Sequence, residues 1–462
     1  MRKYNPKVCL ESDTQTSKGI ELQLPGRALT LALAMALAFP AAATNGYFAH
    51  GYGTRSKAMA GTGVAQSLDT LAPATNPAGL AGVGEQVDVG AGWFSPDRGY
   101  EVSGAATGAC LSPQQCTFGV GPDSRRSDKD FFVIPHFGIA RKLDDDSTLG
   151  LAVYGNGGMN TRYVGGSATF GAPMGSVPPG TRVTLPGTFG DGTAGVDLMQ
   201  LFIAPTWART LDNGASIGVS AIFAMQLFEA RGLGNFAPFS SAPDKLTNQG
   251  HDNSYGFGLK LGAQFPLGDR ARLGASYQSK MWMSEFDAYA GLFANQGDFD
   301  IPASATVGVA FDASDSLTLA FDVQWIGYGG IDSIANPMFP NLMLAPLGAD
   351  GGAGFGWNDM TVYKFGAAWR ADAQSTWHFG YSFSDQPIDP SEVLFNILAP
   401  GVVEQHFTMG YTRETSGGNA WTVSAMYAPS ESVRGVNPLD PAQTIEFSMD
   451  EIDIEFSYRF GQ

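Results

Sequence analysis

Past residue 43 the sequence holds no uninterrupted apolar run of the roughly 20 residues that a spanning helix needs, which excludes a membrane protein built from helices. Basic residues are scarce, with 27 Lys and Arg against 44 Asp and Glu in 462 residues. Such a chain does not attract polyanions, so no nucleic-acid partner is expected. Cysteine is nearly absent: Cys9, Cys110 and Cys116 are the three. The five histidines, His50, His136, His251, His378 and His406, are scattered. No four-ligand cluster of His and Cys can be assembled by spacing, and no catalytic residue, metal or cofactor is expected.

Glycine and aromatic residues are abundant instead: 60 Gly and 12% Phe, Trp and Tyr describe a chain of turns and ring-bearing strands. Mean hydropathy is close to zero, which fits a soluble protein or a barrel with one apolar and one polar face equally well. The start of the chain separates these readings. Arg2, Lys3, Lys7, Lys18 and Arg27 precede the apolar run Ala28 to Phe39 and then Pro40-Ala41-Ala42-Ala43, the pattern of a signal peptide over 1–43 with a small-residue cleavage site. Its run is too short for an anchor. Without it the chain carries 22 basic and 41 acidic residues, a net charge of −19, from 27 less five and 44 less three. An exported chain with no membrane helix can still reside in the outer membrane as a closed barrel.

From Glu85 onward the dominant period is two. Ile452, Ile454, Phe456, Tyr458 and Phe460 alternate with Asp453, Glu455, Ser457 and Arg459, and Leu317, Leu319, Phe321, Val323 and Trp325 alternate with Thr318, Ala320, Asp322 and Gln324. The spacing predicts strands near 86–102, 129–142, 147–162, 196–210, 215–230, 252–265, 271–286, 298–312, 316–328, 358–371, 375–386, 402–414, 419–428 and 444–460. Tight connections such as Asp144-Asp145-Asp146 and Asp212-Asn213-Gly214 alternate with long ones. Short periplasmic turns and long external loops are the habit of outer-membrane barrels, whereas a sandwich has no reason to alternate so regularly. The expectation is an all-β, fourteen-stranded antiparallel transmembrane barrel over residues 86–462. A barrel this wide cannot be filled by its own side chains. Residues 44–85, rich in glycine and without strand period, are the candidate filling; composition alone leaves open a periplasmic tail. Cys110 and Cys116, an even and closely spaced pair in an exported chain, suggest a disulfide in the first external loop.

Gly51-Tyr-Gly-Thr-Arg-Ser-Lys-Ala-Met-Ala-Gly-Thr-Gly-Val-Ala65, followed by Asn76-Pro77-Ala78-Gly79, resembles the glycine-rich hatch and Asn-Pro-Ala motif of the FadL, or long-chain fatty acid transporter, family of outer-membrane proteins (the OmpP1/FadL/TodX group). Phe132-Val-Ile-Pro135-His, Leu149 to Gly158 and Val196 to Phe202 are similar to its early strands. The resemblance implies an N-terminal hatch inside the lumen, with Asn76, Pro77 and Ala78 in it, and passive uptake of hydrophobic molecules, long-chain fatty acids first. It further implies an external capture groove, for which Leu233, Phe236 and Phe239 after the fifth strand and Leu292 and Phe293 after the seventh are the candidates. The mature N-terminus, with Tyr47 and Phe48, is expected in an inner pocket. Lateral release is expected at a bend in the third strand, where Gly155, Asn156, Gly157 and Gly158 give little reason for regular pairing.

A carboxylate head group needs a cation, and Arg231 stands where the resemblance puts one. The family's second cation has no counterpart, since residues 329–357 contain no Lys or Arg; neutral aromatic hydrocarbons are therefore the alternative cargo. Lys260, Arg272, Lys364 and Arg370 face the lumen by parity and are expected to form structural ion pairs with lumenal acids. Outer-membrane lipid, lipopolysaccharide and the barrel-assembly machinery are the expected surroundings and partners. A lipid hydrolase carried on a barrel is the rival reading; it requires a nucleophile supported by His and a carboxylate. A third is an adhesin or structural barrel, which needs no hatch.

Overall fold

The computed structural model describes Met1 and residues 45–112, 115–171 and 181–461, so the expected leader falls, Met1 apart, outside the described residues. Fourteen long strands succeed one another: β1 (Gln86–Ser103), β2 (Phe132–Lys142), β3 (Ser147–Asn160), β4 (Gly195–Thr210), β5 (Ser216–Arg231), β6 (Asp252–Leu267), β7 (Ala271–Gln278), β8 (Ser304–Ser314), β9 (Leu317–Ile326), β10 (Met360–Arg370), β11 (Ser375–Ser384), β12 (Gln405–Glu414), β13 (Ala420–Val436) and β14 (Thr444–Gly461). Each pairs antiparallel with the next. β14 returns to β1 along its whole length, from Gln86 opposite Gly461 to Ser103 opposite Thr444, and the sheet closes into a barrel with no free edge around most of its circumference.

The two faces of every strand are inverted relative to a soluble protein. Phe223 is 57% exposed, and Tyr255, Phe257, Val307, Phe365 and Phe456 share its outward parity, while Ser220, Gln226, Asp322, Lys364 and Glu455 are buried inside. An outer band of apolar side chains around a polar lumen is stable only in lipid. The sequence boundaries need three adjustments. The seventh strand breaks after Gln278 and resumes briefly at Trp282–Met283, and the eighth begins at Ser304. The thirteenth runs eight residues beyond its expected end at 428, because the register shift between Ala428 and Glu431 absorbs Pro429 as a bulge.

Residues 45–84 pack against lumen-facing side chains of the wall and form two single-turn helices, α1 (Thr54–Lys57) and α2 (Ala72–Thr75), and a 3-10 segment Pro77–Gly82. Their backbone groups are satisfied by the wall. Asp322 of β9 accepts from the amides of Gly63 and Val64 at 2.8 and 3.0 Å. Asn76 donates to the carbonyls of Val64 and of Ala263 on β6, and its Oδ1 accepts from Ala78 N at 3.0 Å. Lys260 donates to the Ala74 carbonyl and Lys364 to that of His50. The ion pairs expected for these two lysines with lumenal acids are therefore corrected: a segment without regular pairing leaves carbonyls pointing at the wall, and lysine is the donor long enough to reach them. Arg272 and Arg370 are exposed, and neither forms an ion pair among the described residues.

Lys57 is the electrostatic anchor, with Nζ 2.8 Å from both Asp453 and Glu455 on β14 and all three side chains buried. Removing one partner of a buried ionic cluster costs roughly 3–5 kcal/mol because the other charges stay desolvated. Lys57→Met is expected to loosen residues 45–84 within an intact barrel, seen as protease cleavage there under conditions where the wild-type segment is protected.

Candidate functional site

Four external loops build one apolar pocket above the filled lumen. Leu233 and Phe236 come from the 3-10 segment after β5, Leu292 and Phe293 from the loop after β7, Leu347 and Phe355 from the loop before β10, and Phe395 and Leu398 from the loop before β12. The space is about 500 Å³ counting its open mouth, and no charged residue lines it. Phe236 packs edge to face on Phe395 at 5.3 Å, a geometry favoured by the ring quadrupole, and Phe228 of β5 lies tilted against Phe293 at 4.6 Å. Phe239 is not in the lining; it is partly exposed, and its carbonyl accepts from Leu347 N at 2.7 Å. The contributions of Leu347, Phe355, Phe395 and Leu398 carry no short-range pattern that marks them in the sequence.

The pocket floor continues into a second aromatic cluster. Phe293 lies 4.7 Å from Phe299, which meets Tyr47, and Tyr47 packs on Tyr328 and Trp357. Tyr47 and Phe48 are fully or nearly fully buried, and Tyr328 accepts from Tyr47 N at 3.1 Å. Residues 45–48 thus stand directly against the aromatic floor of the pocket.

The barrel wall is incomplete beside them. β2 and β3 pair only from Phe137 opposite Val153 to Lys142 opposite Thr148. Beyond that point β3 follows β4 alone, with a register shift at Gln200 and Leu201 that leaves Asn156 as the extra residue. The abandoned edge of β3 is taken by the N-terminal segment: Ala49 N donates to Asn156 O at 2.9 Å and Gly158 N to Tyr47 O at 3.0 Å. Gly157 is required there, since a Cβ would stand 1.7 Å from the Tyr47 carbonyl oxygen. Asn156 also joins a buried relay. It accepts from Tyr52 Oη and donates to Gln200, which donates to Gln226, which donates to the Phe299 carbonyl, at 2.8 to 2.9 Å per step. At the outer rim, Arg162 pairs with Asp128 at 3.5 Å and Lys129 with Asp197 at 3.6 Å, closing the top of the opening.

Arg231 stands apart from the pocket. It shares the parity of outward-facing Phe223, is half exposed, and places Nε and Nη2 on the Glu229 carboxylate at 2.8 and 2.9 Å. It lines a polar groove with Glu229, Asp197, His251, Lys129 and Arg162. Alternation decides this: Phe228 points inward to the pocket, and Arg231, an odd number of residues away, points outward. Cys110 and Cys116 are bonded to each other. The one Gly-x-Ser-x-Gly run in the chain, Gly214 to Gly218, opens β5, where Ser216 sits in the wall opposite Thr210 and Gln264. No histidine contacts it among the described residues, so it is not the strand-to-helix elbow of a hydrolase.

A closed barrel with an apolar outer band and an apolar pocket among its long loops defines an outer-membrane β-barrel protein of Gram-negative type. Comparison with known proteins agrees. The family model for outer membrane transport proteins, OMPP1/FadL/TodX, matches residues 193–412. A Neisseria meningitidis serogroup B protein described as an outer membrane protein is 25% identical over 405 residues, covering 80% of this chain and 83% of that one. Among solved structures, the Pseudomonas putida toluene transporter TodX superposes with a TM-score of 0.61 at 16% identity, over 89% of this chain and 99% of that one. A Pseudomonas aeruginosa FadL homologue gives 0.62 at 13% over 90% and 99%. Over residues 193–412 the chain is similar to the OmpP1/FadL/TodX family of outer-membrane transport proteins, and it shares the barrel fold of that family's solved members.

Proposed function

We propose that this protein carries neutral hydrophobic molecules inward, from the external pocket through the space held by Tyr47 and Phe48 to the lateral opening between β2 and β3. Its similarity to that family supports a channel for hydrophobic compounds. The observation that favours neutral cargo over fatty-acid anions is the pocket lining, where no Lys or Arg is present to meet a carboxylate. Arg231, the expected partner of that carboxylate, is outside and already paired with Glu229. Capture needs no other force, since each buried CH₂ contributes about 0.8 kcal/mol. Toluene transporters share the fold, which fits a cargo without charge.

Lateral delivery follows from the same physics. A molecule released into lipid keeps the burial that drove its capture, whereas one released into the periplasm loses it. Binding of ethylbenzene and of laurate to the purified protein in detergent tests the cargo class; tighter laurate binding at neutral pH would overturn the neutral reading. Phe355→Ser, which places a hydroxyl in the lining and removes a ring, is expected to weaken ethylbenzene binding by about tenfold or more, in line with a ring deletion costing roughly 3–5 kcal/mol in a well-packed site. Unchanged affinity would move capture elsewhere.

A further inference from the structure

Arg98 is the buried cation that the route above leaves without a role. It projects from the lumenal face of β1 and is 2% exposed. One Nη donates to the Asn160 carbonyl of β3, across the opening, and the guanidinium stands 5.9 Å from the centroid of the Phe132 ring. That is its one hydrogen bond among the described residues, so most of a five-donor fork has no protein acceptor. The side chain lines a narrow cavity of about 10 Å³ with Gly46, Gly158, Met159, Trp357 and Met449. This cavity touches both the N-terminal aromatic segment and the bent half of β3.

On β14, Glu451 is fully buried, and neither carboxylate oxygen has a partner among the described residues. Arg98 lies opposite Met449 in the register, which makes Glu451 its diagonal neighbour on the same lumenal face, within electrostatic reach. Buried polar groups in folded proteins are nearly always satisfied. A guanidinium with free donors at a cavity, with an unpartnered carboxyl group beside it in the register, has the makings of a ligand site.

We propose that Arg98 binds the oxygen of a hydrophobic molecule bearing a neutral carbonyl or hydroxyl group, at the inner edge of the lateral opening. This rests on the uptake reading and names a class within it. The ligand oxygen fills this cavity and accepts from the free N–H groups of Arg98, while its hydrocarbon part lies along the lateral opening. Glu451 balances the guanidinium charge and repels a carboxylate, so the site selects neutral oxygenated compounds over acids.

The test uses the full chain in detergent, with dissociation constants for decane, 2-decanone and decanoate measured by equilibrium dialysis against micelle blanks. Wild-type protein should prefer 2-decanone to decane by about tenfold, the worth of a hydrogen bond to a charged donor. Arg98→Leu combined with Glu451→Gln removes both charges together, so neither is left buried alone, and should erase that preference while decane binding and the heat-shifted electrophoretic mobility of a folded barrel persist. Glu451→Gln alone should raise decanoate affinity by about tenfold. A ketone preference that survives the double substitution, or wild-type protein that binds decanoate more tightly than the ketone, would overturn the proposal. Failure of wild-type protein to bind decane at all would overturn the uptake reading, and this site with it.

Discussion

Closing the wall between β2 and β3 is expected to abolish uptake and leave the external pocket able to bind. Asn156 is the extra residue of β3 where it leaves β2 and follows β4, and deleting it restores a one-to-one register along β4. Pro135 lies in the part of β2 without a β3 partner and has no N–H for a ladder, so the deletion is best combined with Pro135→Val. In the resulting barrel Tyr154 and its successors can pair with β2, and the N-terminal segment loses the edge to which Tyr47 and Ala49 are bonded. Cells expressing this variant should take up hydrophobic substrate at the background rate, while the purified protein binds it normally. Normal uptake through a wall shown by structure determination to be closed would mean that cargo travels down the barrel axis.

The second large effect concerns the seating of residues 45–84. Gly262 of β6 faces Asn76 so closely that a Cβ would stand 1.8 Å from its Oδ1, and the Asn76 amide cannot swing away because it is bonded to Val64, Ala263 and Ala78. Gly262→Val is expected to displace the Asn-Pro-Ala segment at a cost at the upper end of the 1–3 kcal/mol usual for overpacking. Expelling the segment uncovers a lumen too wide for its own side chains to fill. The expected signature is a rise in single-channel conductance and in sensitivity to large antibiotics, with the barrel still resistant to detergent. Wild-type conductance in a folded Gly262→Val barrel would show that the segment does not close the lumen.

Straightening β3 by side-chain bulk at Gly157 alone would act differently from what the glycine run first implies. The run Gly155 to Gly158 was legible as a place where pairing could fail, yet the residue that needs glycine is Gly157, for the approach of the Tyr47 carbonyl. That contact joins residues more than a hundred positions apart. No local pattern contains it.

The fourteen strands were legible because the membrane enforces a period of two on every one of them, with a penalty for each wrong side chain. The end expected for β13 at 428 falls short because the strand continues past Pro429 through a bulge, and a bulge is a pairing event between two strands. Arg231 misled the reading of the site for a related reason. A strand-end residue can be assigned to the right loop and still face the wrong side, since a shift of one position exchanges lumen for lipid. Parity with Phe228 and Phe223 was available in the sequence, and it places Arg231 outside.

By itself the sequence determined the class of solvent on each side of the sheet, the number of strands and the alternation of turns and loops, since those follow from residue-by-residue transfer energies and from turn chemistry. It also determined that a glycine-rich segment precedes the barrel. Only the tertiary structure decided that Leu233, Phe293, Phe355 and Phe395 share one pocket, that Lys57 is held by Asp453 and Glu455, and that Arg98 and Glu451 are diagonal neighbours across β1 and β14. Each of those groupings is drawn from loops or strands far apart in the chain, and it is closure of the sheet on itself, from β14 back to β1, that brings them within reach.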